Sequence, residues 1–296
     1  MGGSRIKAAA VDEDGRVVEQ RIVPTFERYA SSSDSVPVWA GGTADLVSTL
    51  ESAVGYRASR IGLAAPGLAA ADGRSVAFLP GRLEGLEGFD WTAFLGRDAV
   101  TPVMNDAQAA LLGEMWIGAG RGLQDAILLT LGTGVGGAIM SGGRVLHGAI
   151  GRAGHLGHIC LDVHGAPGIT NIPGSLEEAI GECSILRRSK GRFESTRLLV
   201  DAARGGDAEA ARWWSESVRS LACAIASYIN ILDPQTVILG GGNAQLGAAL
   251  FDPLSLELDS MEWRPGGHCT PVIPAALGEL AGAIGAARNA MLHGLH

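Results

Sequence analysis

"DAILLTLGTGVGGAIMSGGRV", residues 125–145, is the stretch on which the fold turns. Gly132-Thr133-Gly134-Val135-Gly136-Gly137 satisfies Gly-x-Gly-x-x-Gly literally. A dinucleotide fingerprint needs its last glycine to open a helix whose N-terminus receives the pyrophosphate. Here the glycines run into "AIMSGGRV", an apolar run closed by the Gly142-Gly143 turn. The spacing predicts a hairpin, strand to strand. Backbone N–H groups at such a tip can form an anion-binding nest, with the Thr133 hydroxyl as an extra donor. A glycine hairpin without a ligand is the plain alternative.

Similar loops lie on either side. "MGGSRIKAAAVDEDGRV" places Gly2, Gly3 and Ser4 before an apolar strand and an Asp14-Gly15 hairpin turn. "DPQTVILGGGNAQLG" runs a buried strand into Gly240-Gly241-Gly242 ahead of a helix, where a simple strand-to-helix turn is the alternative. Between them, "GTADLVSTLESAV" has a helical stripe of Leu46, Leu50, Ala53 and Val54, and "RIGLAAPG" is a strand. "NDAQAALLGEMWIGAG" and "DAEAARWWSESVRSLACAIASYINIL" are helices, the latter stopped at Asp233-Pro234 because proline cannot continue it. "TPVIPA" is a strand and "LGELAGAIGAARNAML" a last helix. Alternating strands and helices in both halves predict a two-lobed α/β architecture. The 44 glycines gather at strand ends, where ligands sit in such folds. Asn105 and Asp106 open a helix, where both are favoured caps. The functional alternative is a carboxylate facing the cleft between lobes, taking a proton from an attacking hydroxyl.

Composition narrows the class. With 47% apolar and 18% charged residues among 296, the chain is globular. The net charge is -8 and Arg187-Arg188-Ser189-Lys190 is the densest basic cluster, so neither nucleic acid nor an anionic membrane is an expected partner. Four dispersed cysteines and no apolar run of membrane-spanning length point to a reduced, cytoplasmic protein.

"GRAGHLGHICLDVHGAPGITNIPGSLEEA", residues 151–179, holds His155, His158, Cys160, Asp162 and His164 within ten positions. Spacing alone does not make this a metal site, because His-x-x-His converges on a helix and diverges on a strand.

In order and spacing, "GGSRIKAAAVDEDG", "GLAAPG", "NDAQAALLGEMWIGAGRG", "LTLGTGVGGAIMSGG", "GRAGHLGHI", "PGSLEE", "LDPQTVILGGG" and "LGELAGAIGAA" resemble the ROK sugar kinases, members of the actin-like ATPase and hexokinase superfamily. The resemblance implies a two-lobed, ribonuclease H-like α/β fold with mixed sheets flanked by helices and a truncated first strand. It implies a small lobe of residues 1–105 joined by a C-terminal helix at 277–296, and a large lobe of 106–276. It further implies a glucokinase-like homodimer that uses ATP and Mg2+ to phosphorylate a hexose, at C6. Asp106 falls on the family's catalytic base. Asn105, Gly67, His155, His158 and Glu177 fall at the sugar. Gly132, Thr133, Gly134 and Gly136 match the second phosphate loop, Gly2, Gly3 and Ser4 the first, and Gly241 and Gly242 the adenosine-side loop.

Three departures matter. The family's first loop opens with an aspartate two residues before its Gly-Gly pair, whereas only Met1 precedes Gly2. The expectation is a start placed too late, or, if Met1 is the true start, a poor kinase or a non-catalytic sugar sensor. Family repressors carry an N-terminal helix-turn-helix, for which this sequence gives no support. Secondly, the histidine matching His158 joins three cysteines in a family zinc site. Those cysteines are here Gly168, Thr170 and Ser175, Cys160 lies only two residues beyond His158 in what reads as strand, and Asp162 and His164 are weak substitutes, so no structural zinc is expected. Thirdly, the family's Glu-x-Gly-His reads His155-Leu156-Gly157-His158, exchanging an acceptor for an imidazole that also donates. Gly81-Arg82 stands where Asn-Leu is frequent, with Arg82 read as a surface charge.

Overall fold

The computed structural model describes residues 5–25 and 36–293. They divide into two compact units. The first draws on Met1–Gly122, Val145–Ala153 and Ala276–His296; the second draws on Leu123–Arg144 and Gly154–Ala275. Among the described residues no helix is long and apolar enough to cross a membrane.

The first unit begins with the antiparallel hairpin of β1 (Arg5–Val11) and β2 (Val17–Pro24). Asp12 Oδ1 closes its turn by accepting the N–H groups of Asp14 and Arg16, and Gly15 supplies the positive φ of +89°. α1 (Val38–Val54) starts right after Pro37 and buries Trp39, Ala40, Thr43, Leu46 and Leu50. The sequence stripe was half right: Leu46 and Leu50 are inside, Ala53 is exposed. β3 (Leu63–Ala65) later pairs in parallel with β6 (Val103–Asn105). Between them lie the hairpin of β4 (Leu68–Ala69) and β5 (Val76–Phe78) and the short α2 (Trp91–Phe94). Trp39, Phe89 and Trp91 pack edge-on or tilted at centroid distances of 4.9 to 5.5 Å and fill this core.

α3 (Asp106–Ile117) follows β6 directly, and α9 (Ala281–Leu292) packs along it. Glycines make this contact backbone to backbone. A Cβ on Gly113 would lie 2.6 Å from the Ala281 carbonyl, and one on Gly285 would collide with the Ala109 carbonyl. Glu114, fully buried on α3, accepts N–H groups from Ala119, Ala276 and Leu277, so its carboxylate ties the end of α3 to the approach to α9. Such a charge is tolerated inside because its oxygens are hydrogen-bonded. These contacts place α3 in the first unit, whereas the sequence reading cut the chain at 105/106. The C-terminal helix joins the same unit but is shorter than residues 277–296, its first turn at Gly278–Leu280 being 3-10.

The second unit is built on a mixed five-stranded sheet, ordered β11-β10-β7-β8-β9. β7 (Ala126–Leu131) pairs antiparallel with β8 (Val135–Ser141), and β9 (Arg144–Val145) is the edge. β10 (Thr236–Gly240) runs parallel to both β7 and β11 (Val272–Pro274). Ile127, Leu128, Leu129 and Leu131 are fully buried, as expected of a central strand covered on both faces. Four helices precede β10: α4 (Leu176–Ile180), α5 (Ile185–Arg188), α6 (Thr196–Arg204) and the 25-residue α7 (Ala208–Leu232). α7 is capped by Asp207 and ends at Asp233, whose φ of +44° turns the chain into Pro234. Trp213 and Trp214 are core residues, and Trp214 Nε1 donates to the Ala249 carbonyl on α8 (Ala248–Met261). Trp263 is 71% exposed.

The α3–α9 contact makes a paired prediction. Gly285→Ala forces two backbones apart, a distortion of the order of 2–3 kcal/mol, and lowers Tm by roughly 5–10 °C. Gly282→Ala, whose Cβ would meet only the Asp106 carbonyl at 3.9 Å, gains helix propensity of up to about 1 kcal/mol and holds or raises Tm. Thermal unfolding of both variants decides it; equal Tm values would remove the close contact.

Candidate active site

In the first unit, Asn105 ends β6 and caps α3. Its Oδ1 accepts the N–H groups of Ala107 and Gln108 at 2.9 and 3.3 Å, and its Nδ2 donates to the Gly67 carbonyl at 3.0 Å. Gly67 can offer that carbonyl because it has a φ of +90° and a Cβ there would lie 2.5 Å from the Phe78 carbonyl. One buried amide therefore ties the first turn of α3, which Asp106 opens, to the Gly67 carbonyl. Asp106 is the first helical residue; its carboxylate is exposed, with Oδ1 accepting the Ala107 N–H at 2.9 Å. The helix dipole favours a negative charge at this end. Buried Gln108 reaches the Leu146 carbonyl at 3.4 Å and ties the segment 145–153 to α3.

In the second unit, residues 132–134 are the hairpin tip between β7 and β8, as the sequence spacing predicts. Gly132 N–H donates across the tip to the Gly134 carbonyl at 3.0 Å. The Gly132 and Thr133 carbonyls are in turn held by the N–H groups of Glu182 and Cys183, at 3.0 and 2.7 Å. Among the described residues, nothing accepts from the N–H groups of Thr133 and Gly134. Gly136 continues β8 opposite Thr130. Gly241, with a φ of +88°, is pressed so closely on the Leu131 carbonyl that no side chain fits, so this glycine turn abuts the base of the hairpin; Gly242 faces open space. The turn leads into a 3-10 segment, Asn243–Leu246, before α8. Glu177, in the first turn of α4, accepts the Val135 N–H through Oε2 at 3.0 Å. Gly2, Gly3 and Ser4 lie outside the described residues.

The histidine segment is not a strand. Leu156–His158 forms a 3-10 turn with His155 at its head, and the two imidazoles are near-parallel, 20° apart with centroids separated by 6.4 Å. Gly157 and Gly137 let this turn lie directly on β8, where a Cβ on either would collide with or crowd its neighbour.

The ROK family model matches residues 1–291. This chain belongs to the ROK family. It is 30% identical to a glucokinase of Thermotoga maritima, over 97% of this chain and 94% of that one. The ROK hexokinase of Thermus thermophilus superposes with a TM-score of 0.85 at 30% identity, covering 99% and 96% of the two chains. A ROK glucokinase of Streptomyces griseus, solved with glucose and AMPPNP, gives 0.78 at 27% identity over 98% and 97%. The fold is that of the actin-like ROK sugar kinases, and the chain is a sugar kinase.

The segment in which the sequence resemblance replaces three cysteines by Gly168, Thr170 and Ser175 is laced by its own backbone. Leu161 and Asp162 donate to the Gly174 carbonyl, Gly174 to that of Ala166, and Gly168 to that of Ile172, at 2.9 to 3.2 Å. Ser175, at one of the lost cysteine positions, bridges to Cys160 and caps α4 by accepting the Glu178 N–H. Among the described residues no three His, Cys, Asp or Glu side chains group as a metal would require.

Two supports escaped sequence reading. The Tyr228 hydroxyl, on α7, donates to the Leu156 carbonyl and pins the histidine turn; burial pushes that phenol upward from its ordinary value. Arg188 belongs to the Arg187-Arg188-Ser189-Lys190 cluster, whose sequence gives no sign of burial. It is nonetheless largely buried, bonded to Ser184, Ser217 and the Gly181 carbonyl, and desolvation pushes its pKa down to about 10. Apolar helical spacing around Tyr228 was the available signal; for Arg188 there was none. Metal analysis of the purified chain is expected to find no stoichiometric zinc, with a strong chelator leaving Tm unchanged. One zinc per chain would contradict this reading of the loop.

Proposed function

We propose that the chain transfers the γ-phosphoryl group of ATP to a hydroxyl of a hexose or hexose derivative, with Asp106 as general base. The observation that carries this is the exposed Asp106 carboxylate at the capped start of α3. A nucleophilic hydroxyl needs such an acceptor within hydrogen-bond reach. The N–H pair of Thr133 and Gly134, without an acceptor among the described residues, supplies donors for phosphate oxygens, and the cramped Gly241 turn is the nucleoside-side support. The glucose and AMPPNP held by the Streptomyces griseus relative support a hexose and ATP as the substrate pair.

The acceptor hydroxyl, at C6 of the sugar, gives its proton to Asp106 as its oxygen bonds to the γ-phosphorus. The bond from that phosphorus to the β–γ bridging oxygen breaks, and ADP leaves with the electron pair. Little covalent work falls to the protein, so positioning and electrostatics carry the rate. A Mg2+ ion brought with the nucleotide would supply charge neutralisation at the phosphates; among the described residues no three His, Cys, Asp or Glu side chains group to hold it. Asn105 fixes the start of α3, while His155, His158 and Glu177 are the candidate sugar contacts. The protein works as a cytoplasmic homodimer on small molecules.

Coupled ADP production over a panel of hexoses and N-acetylhexosamines tests the reading. Wild type turns over at least one; Asp106→Asn loses at least about a hundredfold in kcat while sugar Kd stays within a few-fold, because the amide cannot take the proton. Full turnover by the variant rejects the base. Sugar-dependent thermal stabilisation with no turnover on any sugar favours a non-catalytic sensor instead.

A further inference from the structure

We propose that Glu177 is a positioning residue for the nucleotide, acting through the backbone of the phosphate hairpin as well as lying in the sugar subsite. The proposal rests on reading that hairpin as the phosphate site. Glu177 Oε2 accepts the Val135 N–H at 3.0 Å, immediately beyond the N–H groups of Thr133 and Gly134, which have no acceptor among the described residues. The approach is possible only because residue 134 is glycine, since a Cβ there would collide with that oxygen. Glu177 is itself firmly placed. It sits one residue beyond Leu176, which is fully buried, on a helix capped by Ser175, and its carbonyl accepts the Gly181 N–H at 2.8 Å. The next two residues, Glu182 and Cys183, grip the carbonyls of Gly132 and Thr133. The stretch 177–183 therefore holds the hairpin from both its N–H and its C=O sides.

This division has a chemical consequence. Oε2 already accepts from the hairpin, whereas Oε1 accepts nothing from the described residues and is the oxygen more open to a sugar hydroxyl. An unpaired Val135 N–H would release the tip into other conformers, and apparent nucleotide affinity falls in proportion to the competent fraction. Electrostatics alone has the opposite sign, because a carboxylate beside an anion site repels phosphate and its removal tightens binding. Comparing two variants separates the effects. Glu177→Gln removes the charge and keeps an acceptor; Glu177→Ala removes both.

The test is calorimetric binding of ADP and AMPPNP without sugar, together with hydrogen exchange of the Val135 amide in the ligand-free protein. Glu177→Gln is expected to bind nucleotide at least as tightly as wild type and to protect Val135, while its sugar KM rises. Glu177→Ala is expected to bind about tenfold more weakly than Glu177→Gln, with Val135 exchanging freely. Gly134→Ala, which must expel the carboxylate, should also deprotect Val135. Equal or tighter nucleotide binding by Glu177→Ala than by Glu177→Gln overturns the proposal, as does a Val135 amide that stays protected in Glu177→Ala. Failure of wild type to bind nucleotide at all would instead remove the phosphate-site reading, with Val135 exchange still reporting whether the carboxylate holds the hairpin.

Discussion

The seat of α3 on α9 is the contact on which the first unit depends. Gly113 and Gly285 bring two helix backbones together where no side chain fits, and Glu114 fastens the far end of α3 to the segment entering α9. A helix held this way cannot slide by a residue without collision. Its first residue is Asp106, and Asn105 locks that end to the Gly67 turn. The placing of one exposed carboxylate thus follows from buried contacts along the full length of its helix.

The second unit solves a different problem, which is to keep a short glycine turn in one shape while leaving its N–H groups available. A central strand with no exposed apolar residue supplies the rigid base, and residues 177–183 supply the clamp. Behind the clamp stands Arg188, a desolvated cation with hydroxyl and carbonyl partners. Such a group is expensive to bury, and its position beneath the clamp ties α5 and α7 to the Gly181 carbonyl. The histidine turn is fixed likewise, by Tyr228 from one side and by glycine packing on β8 from the other. The loop that leads from this turn into α4 is held by a ladder of backbone hydrogen bonds and by the Ser175 cap.

Local signals were legible in the sequence, and non-local ones were not. The hairpin at 125–145 could be read because its glycines are followed by a strand and a second turn, and α3 could be read because Asn105 is a strong cap. α7 announced itself by length, periodicity and a terminal Asp-Pro. The sequence spacing leaves the shape of His155–His158 open and reads His158 to Cys160 as strand, whereas Leu156–His158 is a 3-10 turn whose conformation follows from close packing of Gly157 on β8 rather than from any local preference. The lobe boundary was misplaced for a related reason: α3 joins the first unit through glycines on α9, some 170 residues away, and glycine weakens a helix pattern instead of strengthening it. The bond from Val135 to Glu177 spans 42 residues, and no spacing rule reaches it. Family resemblance supplied a role for Glu177 at the sugar without disclosing its second contact.

The most direct test of the central claim is a crystal structure with a hexose and a non-hydrolysable ATP analogue bound. The account requires an Asp106 carboxylate oxygen about 2.6–3.2 Å from a single sugar hydroxyl that points along the line to the terminal phosphorus. An Asp106 turned away from every hydroxyl, with another acidic side chain at that oxygen, would contradict it.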